Sequence, residues 1–376
     1  MQEKGNKKKI GEIDNKDLFS YPKDNISNNS KFIDRVSNII IDVFDHYAKL
    51  EDKNTNPGFV ILNEKPESNL YFQGVRDILT LKQIKDKIKS LNGFYRGYKN
   101  SRGLIGATAS IAWNQDKDRT YELISYRYKD KWGSKRYVDD ESVKKIDKLF
   151  PSTFDNYDYD NKHNRIMPNS PCQILYGVRG DNPNDLIKLF RLIKSEKISS
   201  WILFETNQGT DDHIQNKKIN QIMPFESVIV EGKIIVKPHT IKGGHVLFTI
   251  SDNNYEKIDC AAYEPTKKFR NIIRELLVGD FVEVYGGVRR KPLTINIEKI
   301  NVKEIVDSYE KLENPICPKC KKHMKSKGKN MGYKCLKCKI TELNPVYTKI
   351  KRDIKPGFYE VPVCARRHLS KPLKRF

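Results

Sequence analysis

Between residues 31 and 50 the apolar positions Phe32, Val36, Ile39, Ile40, Val43 and Phe44 recur at the three- and four-residue spacing of an amphipathic helix. "GFVIL" (58–62), after the turn Asn56-Pro57-Gly58, predicts a short buried strand. "NLYFQG" (69–74) matches the core of a common engineered protease site, but it opens a helical run, "VRDILTLKQIKDKIKSL", and is read as native. "SRGLIGATASIAW" (101–113) is punctuated by glycine and then small and apolar, which suits a helix packed closely on a sheet.

The period then shortens to two. "TYELISYRY" (120–128) alternates as a strand does, and "CQILYGVRG" (172–180) is a second strand closed by Gly177 and Gly180. An amphipathic helix follows in "DLIKLFRLIKSEK" (185–197), then a strand in "SWILFET" (200–206). Strand, helix, strand in this span is a βαβ unit, which predicts a parallel pair. From residue 226 five strand-like segments carry one helix, "KKFRNIIRELL", between the third and fourth, the pattern of an OB-fold. No strict internal repeat interrupts this order.

Composition sharpens the picture. The chain has 376 residues, room for two to four domains, and its 38% hydrophobic content, 19 Tyr and 16 Phe can fill sizeable cores. Lys and Arg number 70 against 48 Asp and Glu, a formal charge of +22 that points to a polyanionic partner such as nucleic acid, or else to a lysine-rich proteome. No apolar run is long enough to span a bilayer and the first residues carry no apolar leader, so no membrane partner is expected. Residues 1–30, with Lys7-Lys8-Lys9 and "NISNNS", read as poorly ordered.

Four of the seven cysteines, Cys317, Cys320, Cys335 and Cys338, fall as C-x2-C-x14-C-x2-C, the spacing of a zinc ribbon. Four thiolates close a tetrahedral Zn²⁺ site with no position left for water, so the ion would be structural. The other three cysteines are scattered, which fits a reducing cytoplasm better than a disulfide framework. The ribbon's lysines offer a surface to phosphates. In the OB segment Phe248, Tyr263 and Tyr285 either stack bases or fill the core, and Arg289, Arg290 and Lys291 either track a backbone or form a solvated hairpin. The tail 364–376, with Arg366, Arg367, His368, Lys371, Lys374 and Arg375, reads equally as an RNA contact or a solubilising end.

One loop stands out chemically. "FETNQGTDDHI" (204–214) ends an apolar strand in a polar cluster, with Asp211 and Asp212 placed where open α/β sheets hold ligands. Arg179 and Asp181, after the neighbouring strand, come to the same edge, and Gly177, Gly180 and Gly209 let backbone approach an anion. Carboxylates beside an arginine suit Mg²⁺ and a transferring phosphoryl group, while a capping loop is the plain alternative. His213 alone is read as a surface histidine.

Taken in order, "GLIGATASIAW", "TYELISYR" with "WGSKR", "NSPCQILYGVRG", "FETNQGTDDHI", "GGHVLF", "CAAYEPTKKFR", "CPKC" with "CLKC", and "ARRHLSKPLKR" resemble the archaeal 2-agmatinylcytidine synthetase family (TiaS, agmatidine synthetase) over about residues 55–376. The resemblance implies an ATP- and Mg²⁺-dependent, cytoplasmic enzyme. It would phosphorylate the C2 carbonyl oxygen of the wobble cytidine in the CAU-anticodon isoleucine tRNA, and agmatine would then displace the phosphate. It implies a kinase-like α/β domain with a ferredoxin-like domain (31–225), an OB-fold (226–306), a zinc ribbon (312–345) and a basic C-terminal segment (346–376).

Carried over on matching strings, Arg102, Gly103 and Gly106 answer the family's R-G-L-(I/V)-G-A, and Asp118, Glu122 and Arg127 its D-x-T-Y-E-L-I-x-Y-R. Arg179 and Gly180 answer its G-(I/V)-R-G, and Thr206, Asn207, Gln208, Gly209, Thr210 and Asp211 its T-N-Q-G-T-D. Arg179, Asp211 and Asp118 are the expected phosphate and Mg²⁺ contacts, with the others expected around ATP or substrate, and Arg289, Arg290, Arg366, Arg367 and Lys371 on RNA. The family's acidic G-(I/V)-D-D-T-D-S string has no counterpart, so the chain is expected to begin inside the kinase-like domain and a separate chain supplying that strand is an implied partner. The other class of reading is a non-catalytic or partner-completed single-stranded RNA binder built from the OB-fold and ribbon, which would have no use for the Asp/Arg cluster at the sheet edge.

Overall fold

The computed structural model describes residues 30–376, apart from 49, 54 and 115. The expectation of poor order over 1–30 falls on residues outside the described ones, save Ser30. The chain divides into two compact units, residues 1–74 with 78–113, and residues 75–77 with 114–376.

In the first unit the helical spacing near the start becomes α1 (Ser30–Tyr47), followed by β1 (Gly58–Ile61), α2 (Asn69–Arg76), α3 (Leu81–Ser90), β2 (Phe94–Gly97) and α4 (Gly103–Ile111). β1 and β2 pair antiparallel, and Phe59 sits between Phe44 and Phe94 with ring centroids 6.0 Å from each. The expected single helix after residue 69 is two. Thr80 starts a new one through a capping box, its hydroxyl accepting from the Gln83 amide at 3.3 Å while the Gln83 side chain accepts from the Thr80 amide at 2.8 Å. α4 does lie close on β1: a Cβ on Gly103 would stand 2.4 Å from the Asn56 carbonyl oxygen, so only glycine permits that approach.

The second unit opens with β3 (Thr120–Arg127), α5 (Asp140–Leu149), β4 (Thr153–Phe154), the small pair β5 (Tyr157–Asp158) and β6 (His163–Asn164), β7 (Ile174–Gly180), α6 (Pro183–Phe190) and β8 (Ile198–Thr206). The sheet order β4-β7-β3-β8, antiparallel throughout, is a split βαβ, or ferredoxin-like, arrangement. β7 and β8 run parallel as expected but are not neighbours, because β3 lies between them and pairs antiparallel with both. Periodicity reports a strand's faces and not its neighbours, which is why the interposed strand was invisible. α6 also stops earlier than its apolar pattern suggests. The backbone of residues 194–196 instead bonds across to 137–142, for example the Asp139 amide to the Lys194 carbonyl at 2.8 Å and the Glu196 amide to the Tyr137 carbonyl at 3.0 Å. Leu123, Val143, Ile146, Val178, Leu186 and Leu189 form the core on one face, leaving the opposite sheet face for chemistry.

After β9 (Ile214–Asn216) come the five expected strands, β10 (Ser227–Thr240), β11 (Val246–Ser251), β12 (Lys257–Ala262), β13 (Phe281–Arg289) and β14 (Thr294–Glu304), with α7 (Phe269–Arg274) between the third and fourth. The order β11-β12-β14-β13-β10 closes through the β10–β11 pairing into a barrel. Full closure removes the exposed edges that a five-stranded sheet would otherwise present. Phe248 and Tyr285, offered as base-stacking residues, are 1% and 8% exposed and belong to buried interior, while Tyr263 is half-buried. They answer the plain reading, that large aromatics are first of all core.

Beyond the barrel, β15 (Ser308–Glu313) is one arm of a stalk, and β16 (Lys325–Ser326), β17 (Tyr333–Lys334) and β18 (Thr341–Glu342) form a small antiparallel sheet. β19 (Val346–Ile350) returns along β15, and β20 (Gly357–Glu360) adds to β14 of the barrel. The basic end is therefore not a solubilising tail: its backbone continues into the ferredoxin-like domain, where the Gly209 amide donates to the His368 carbonyl at 2.8 Å and the Asp211 amide to the Leu369 carbonyl at 2.9 Å.

Candidate functional site

The antiparallel order brings the start of β3 to the same end of the sheet as the ends of β7 and β8. Glu122 on β3 stands opposite Arg179 on β7, and the Arg179 Nε donates to Glu122 Oε1 at 3.2 Å. Gln208, just past β8, donates its side-chain amide to Glu122 Oε2 at 2.6 Å. Thr120 ties the strand ends together: its hydroxyl lies 2.7 Å from that of Thr206 and 2.8 Å from the Gln208 carbonyl. Gly177 makes the room, because a Cβ there would come 2.9 Å from Glu122 Oε1.

Glu122, Gly177, Arg179 and Gln208 form the floor of a cavity of about 440 Å³ on the open sheet face. One wall is the segment holding Arg165, Met167 and Pro168, and another is the C-terminal segment holding Val363, Arg366 and His368. Arg136 fixes the first wall by donating to the carbonyls of Pro168, Ser170, Cys172 and Ile174 at 2.7 to 3.1 Å. Arg366 fixes the second, pairing with Asp155 and, at 2.5 Å, with Glu360. Burial pushes the Asp155 carboxyl above its usual range against the pull of Arg366 and Arg179. Burial, reinforced by the adjacent Arg179, holds the His368 imidazole below its ordinary value.

The three residues expected to hold phosphate and Mg²⁺ are not equivalent. Arg179 lines the cavity. Asp118 is bound by Lys371 and Arg375, each at 2.7 Å, and although burial works to raise its pKa, those hydrogen bonds and charges hold it below the usual carboxylate range. Asp211 accepts from the fully buried Lys299 at 2.5 Å and from the Lys371 amide at 2.7 Å. Both carboxylates thus clasp the C-terminal segment and neither is among the residues lining the cavity. In this arrangement each of the two carboxylates is paired with lysine or arginine side chains rather than open to the cavity. Among the described residues the four cysteines are the one cluster able to hold a metal.

Of the residues expected around ATP or substrate, Glu122, Arg179 and Gln208 converge. Gly180, Thr206, Asn207, Gly209 and Thr210 shape the loop beneath them, with Thr210 closing it through a 2.7 Å bond to the Asn207 carbonyl. Gly209 adopts φ +66°, the left-handed region that favours glycine, and Asp211 shares it at +61°. Arg127 belongs elsewhere: it lies at the opposite end of β3, roughly 23 Å from Thr120 at strand rise. Buried there, it binds Glu196 at 2.7 Å and the Ser134 carbonyl at 2.8 Å. Arg102, Gly103 and Gly106 sit at the beginning of α4 in the first unit. His213, expected on the surface, is 1% exposed and lies 3.2 Å from Glu298. Reading the string alone could not show that a barrel strand would cover it.

The ribbon cysteines do converge. Their four Sγ atoms lie within 4.8 Å of one another, close to the ~3.8 Å edge of a tetrahedron with 2.3 Å Zn–S bonds. None forms a disulfide. Each knuckle turns the same way: the Lys321 and Lys339 amides donate to the Cys317 and Cys335 carbonyls at 2.9 Å, and both lysines take positive φ. The donor set fits structural Zn²⁺. Among the expected RNA contacts, Arg289 and Arg290 lie exposed on the β13–β14 turn, with Arg289 bonded to the Tyr263 hydroxyl at 3.2 Å. Arg366, Arg367 and Lys371 are instead engaged with Asp155, Glu298 and Asp118.

Models of three TiaS domains match this sequence, the TCKD domain over residues 1–99, the FLD domain over 101–213 and the C-terminal zinc ribbon over 314–354. The tRNA 2-agmatinylcytidine synthetase TiaS of Methanocaldococcus jannaschii is 44% identical, the alignment covering 92% of this chain and 83% of the relative. The chain belongs to the TiaS family. The TiaS of Archaeoglobus fulgidus is 39% identical over 92% of this chain and 81% of its own. A crystal structure of TiaS in complex with its isoleucine tRNA and ATP superposes with a TM-score of 0.82 at 37% identity, covering 92% of this chain and 82% of that one. A second TiaS complex, with tRNA, AMPCPP and agmatine, gives 0.79 at 36% identity over the same shares. Within the TiaS domain order the cavity draws its floor from the FLD match and one wall from the segment after the zinc ribbon, so Asp155, Arg165 and the wall role of Arg366 and His368 had no signal in any local string. Arg136 did have one, as the last residue of "WGSKR".

Proposed function

We propose that this chain is an ATP-dependent ligase that joins agmatine to C2 of the wobble cytidine of the CAU-anticodon isoleucine tRNA. ATP phosphorylates the C2 carbonyl oxygen, the primary amine of agmatine adds at C2, and phosphate leaves as the C–O bond breaks and the C–N bond forms. The observation that carries this reading is 44% identity, along nearly the whole chain, to a protein bearing that activity in its name. Two features of the structure support it: a polar cavity of nucleotide size on the ferredoxin-like sheet, and a barrel and ribbon carrying exposed Arg289, Arg290 and ribbon lysines toward an RNA.

Arg179, Glu122 and Gln208 are assigned to contact the reacting molecules, for of the residues expected around phosphate, ATP or substrate they are the ones that line the cavity. Asp118 and Asp211 are assigned to position the loop 206–211 against the C-terminal segment. Zn²⁺ on Cys317, Cys320, Cys335 and Cys338 holds the ribbon in shape.

The test is mass spectrometry of a CAU-anticodon isoleucine tRNA transcript after incubation with the chain, ATP, Mg²⁺ and agmatine. A gain equal to agmatine less water, confined to the anticodon fragment, is expected. Tight binding of the transcript with no gain would overturn the ligase reading in favour of an RNA-binding protein.

A further inference from the structure

The cavity on the open sheet face has an unbalanced stock of hydrogen-bonding groups. Its two carboxylates are already satisfied, Glu122 by Arg179 and Gln208, and Asp155 by Arg366. Its donors are not. Arg165 makes no side-chain hydrogen bond among the described residues and its Nε is buried without an acceptor. Arg366, only 6% exposed at its side chain, also has an Nε with no acceptor. His368 receives the Arg179 N–H at Nδ1, 3.0 Å away; an arginine can only donate, so the neutral ring carries its proton on the other nitrogen and offers it to the cavity. The terminal guanidinium nitrogens of Arg165, accessible and without a partner, are the donors that an acceptor-rich ligand in the cavity meets.

We infer that this cavity binds a phosphate group, from a nucleotide or from an RNA backbone, through Arg165, Arg366 and His368. Three guanidiniums line it against two paired carboxylates. A cation such as agmatine would have to share Glu122 and Asp155 with the arginines already paired to them and would face three guanidiniums. A tetrahedral oxyanion meets Arg165, which has no ion pair to give up, in the forked geometry arginine supplies best, beside Arg366, whose charge is shared with Asp155 and Glu360. The C-terminal segment therefore does more than clasp the domain: it brings two of the three donors. This inference rests on the proposed reading only in naming ATP and tRNA as the sources of phosphate.

The test is isothermal titration of the full zinc-loaded chain, without turnover, against pyrophosphate, ATP and an anticodon stem-loop RNA, with agmatine as a control. Arg165→Gln removes a charge that forms no ion pair or side-chain hydrogen bond and acts only at longer range on Asp155 and Asp158, so its melting temperature should fall by no more than a degree or two. Its affinity should fall about tenfold to a hundredfold, the loss of one charge-assisted hydrogen bond. His368→Gln provides a second, smaller loss at the same site. Weakening toward pyrophosphate and ATP identifies a nucleotide phosphate, and weakening toward RNA alone identifies a backbone phosphate. Unchanged affinity for all three in Arg165→Gln, or tightening limited to agmatine, overturns the site. Because binding is read directly, a chain that binds phosphate in this way yet never modifies tRNA would sink the ligase reading and leave the site standing.

Discussion

Asp211 separates two accounts of the same carboxylate. As a reacting-centre group its loss would abolish turnover and spare the fold. The structure gives it a different role. Lys299, with its side chain fully buried, has as partners the Asp211 carboxylate at 2.5 Å and the Lys371 carbonyl at 2.8 Å, while the rings of Tyr285 and Phe376 lie 5.5 and 4.9 Å from its ammonium. Removing one partner of a buried pair typically costs about 3–5 kcal/mol, because the survivor is left charged and uncompensated. Two details place Asp211→Asn near the lower end. The Lys371 carbonyl and the two rings still attend the ammonium, and Asn keeps an oxygen for the Lys371 amide. We expect a loss of about 3 kcal/mol, which at about 2–4 °C per kcal/mol for a domain of this size lowers the melting transition by about 6–12 °C. Calorimetry of the zinc-loaded chain reads this, with agmatine incorporation measured well below both transitions. A variant melting within about 1 °C of the parent but inactive would refute the clasp and return Asp211 to the reaction.

Three further outcomes follow from the same geometry. Burial opposes ionisation of Glu298, but His213 and Arg367 outweigh it and hold its pKa below the ordinary 4.5, so its contribution is present above that pH and disappears as pH falls through the lowered value. Glu298→Gln should accordingly cost about 1–3 kcal/mol at neutral pH and nothing in strong acid; a gap that persists unchanged in acid contradicts the assignment. Gly177→Ala should push the Glu122 carboxylate off the cavity floor, raising the KM for the ligand bound there with only a small shift in melting temperature, whereas unchanged kinetics would place the site elsewhere. In the ribbon the buried set is small, Cys317, Met324, Tyr333 and Cys335, too little to fold without metal. Cys335→Ser should lose zinc by elemental analysis and lose amide protection over 314–342, with the barrel still protected; full zinc content would disprove the site.

Local chemistry settled much of this protein before any coordinates. The C-x2-C pairs fix a zinc ribbon because each pair's two sulfurs come from one tight turn, so spacing alone specifies the geometry. Strand alternation and the helix at its place between the third and fourth strands specify the barrel, because burial imposes a period of two on every strand that faces a core. The strings around Glu122, Arg179 and Gln208 marked residues that do meet. What the sequence could not express is adjacency between distant segments. Nothing local says that β3 would slip between β7 and β8, that Arg127 would point away at the far end of its strand, or that Asp118 and Asp211 would be neutralised by lysines and arginines more than eighty residues further on. Those outcomes depend on which faces the packed core leaves open and which charges burial brings within a few ångströms, and both are properties of the folded chain rather than of any stretch of it. The basic C-terminal segment shows the difference most plainly: its charge was legible, but its destination, against Asp155, Glu298 and Asp118, was decided by the barrel and the ferredoxin-like sheet between which it runs.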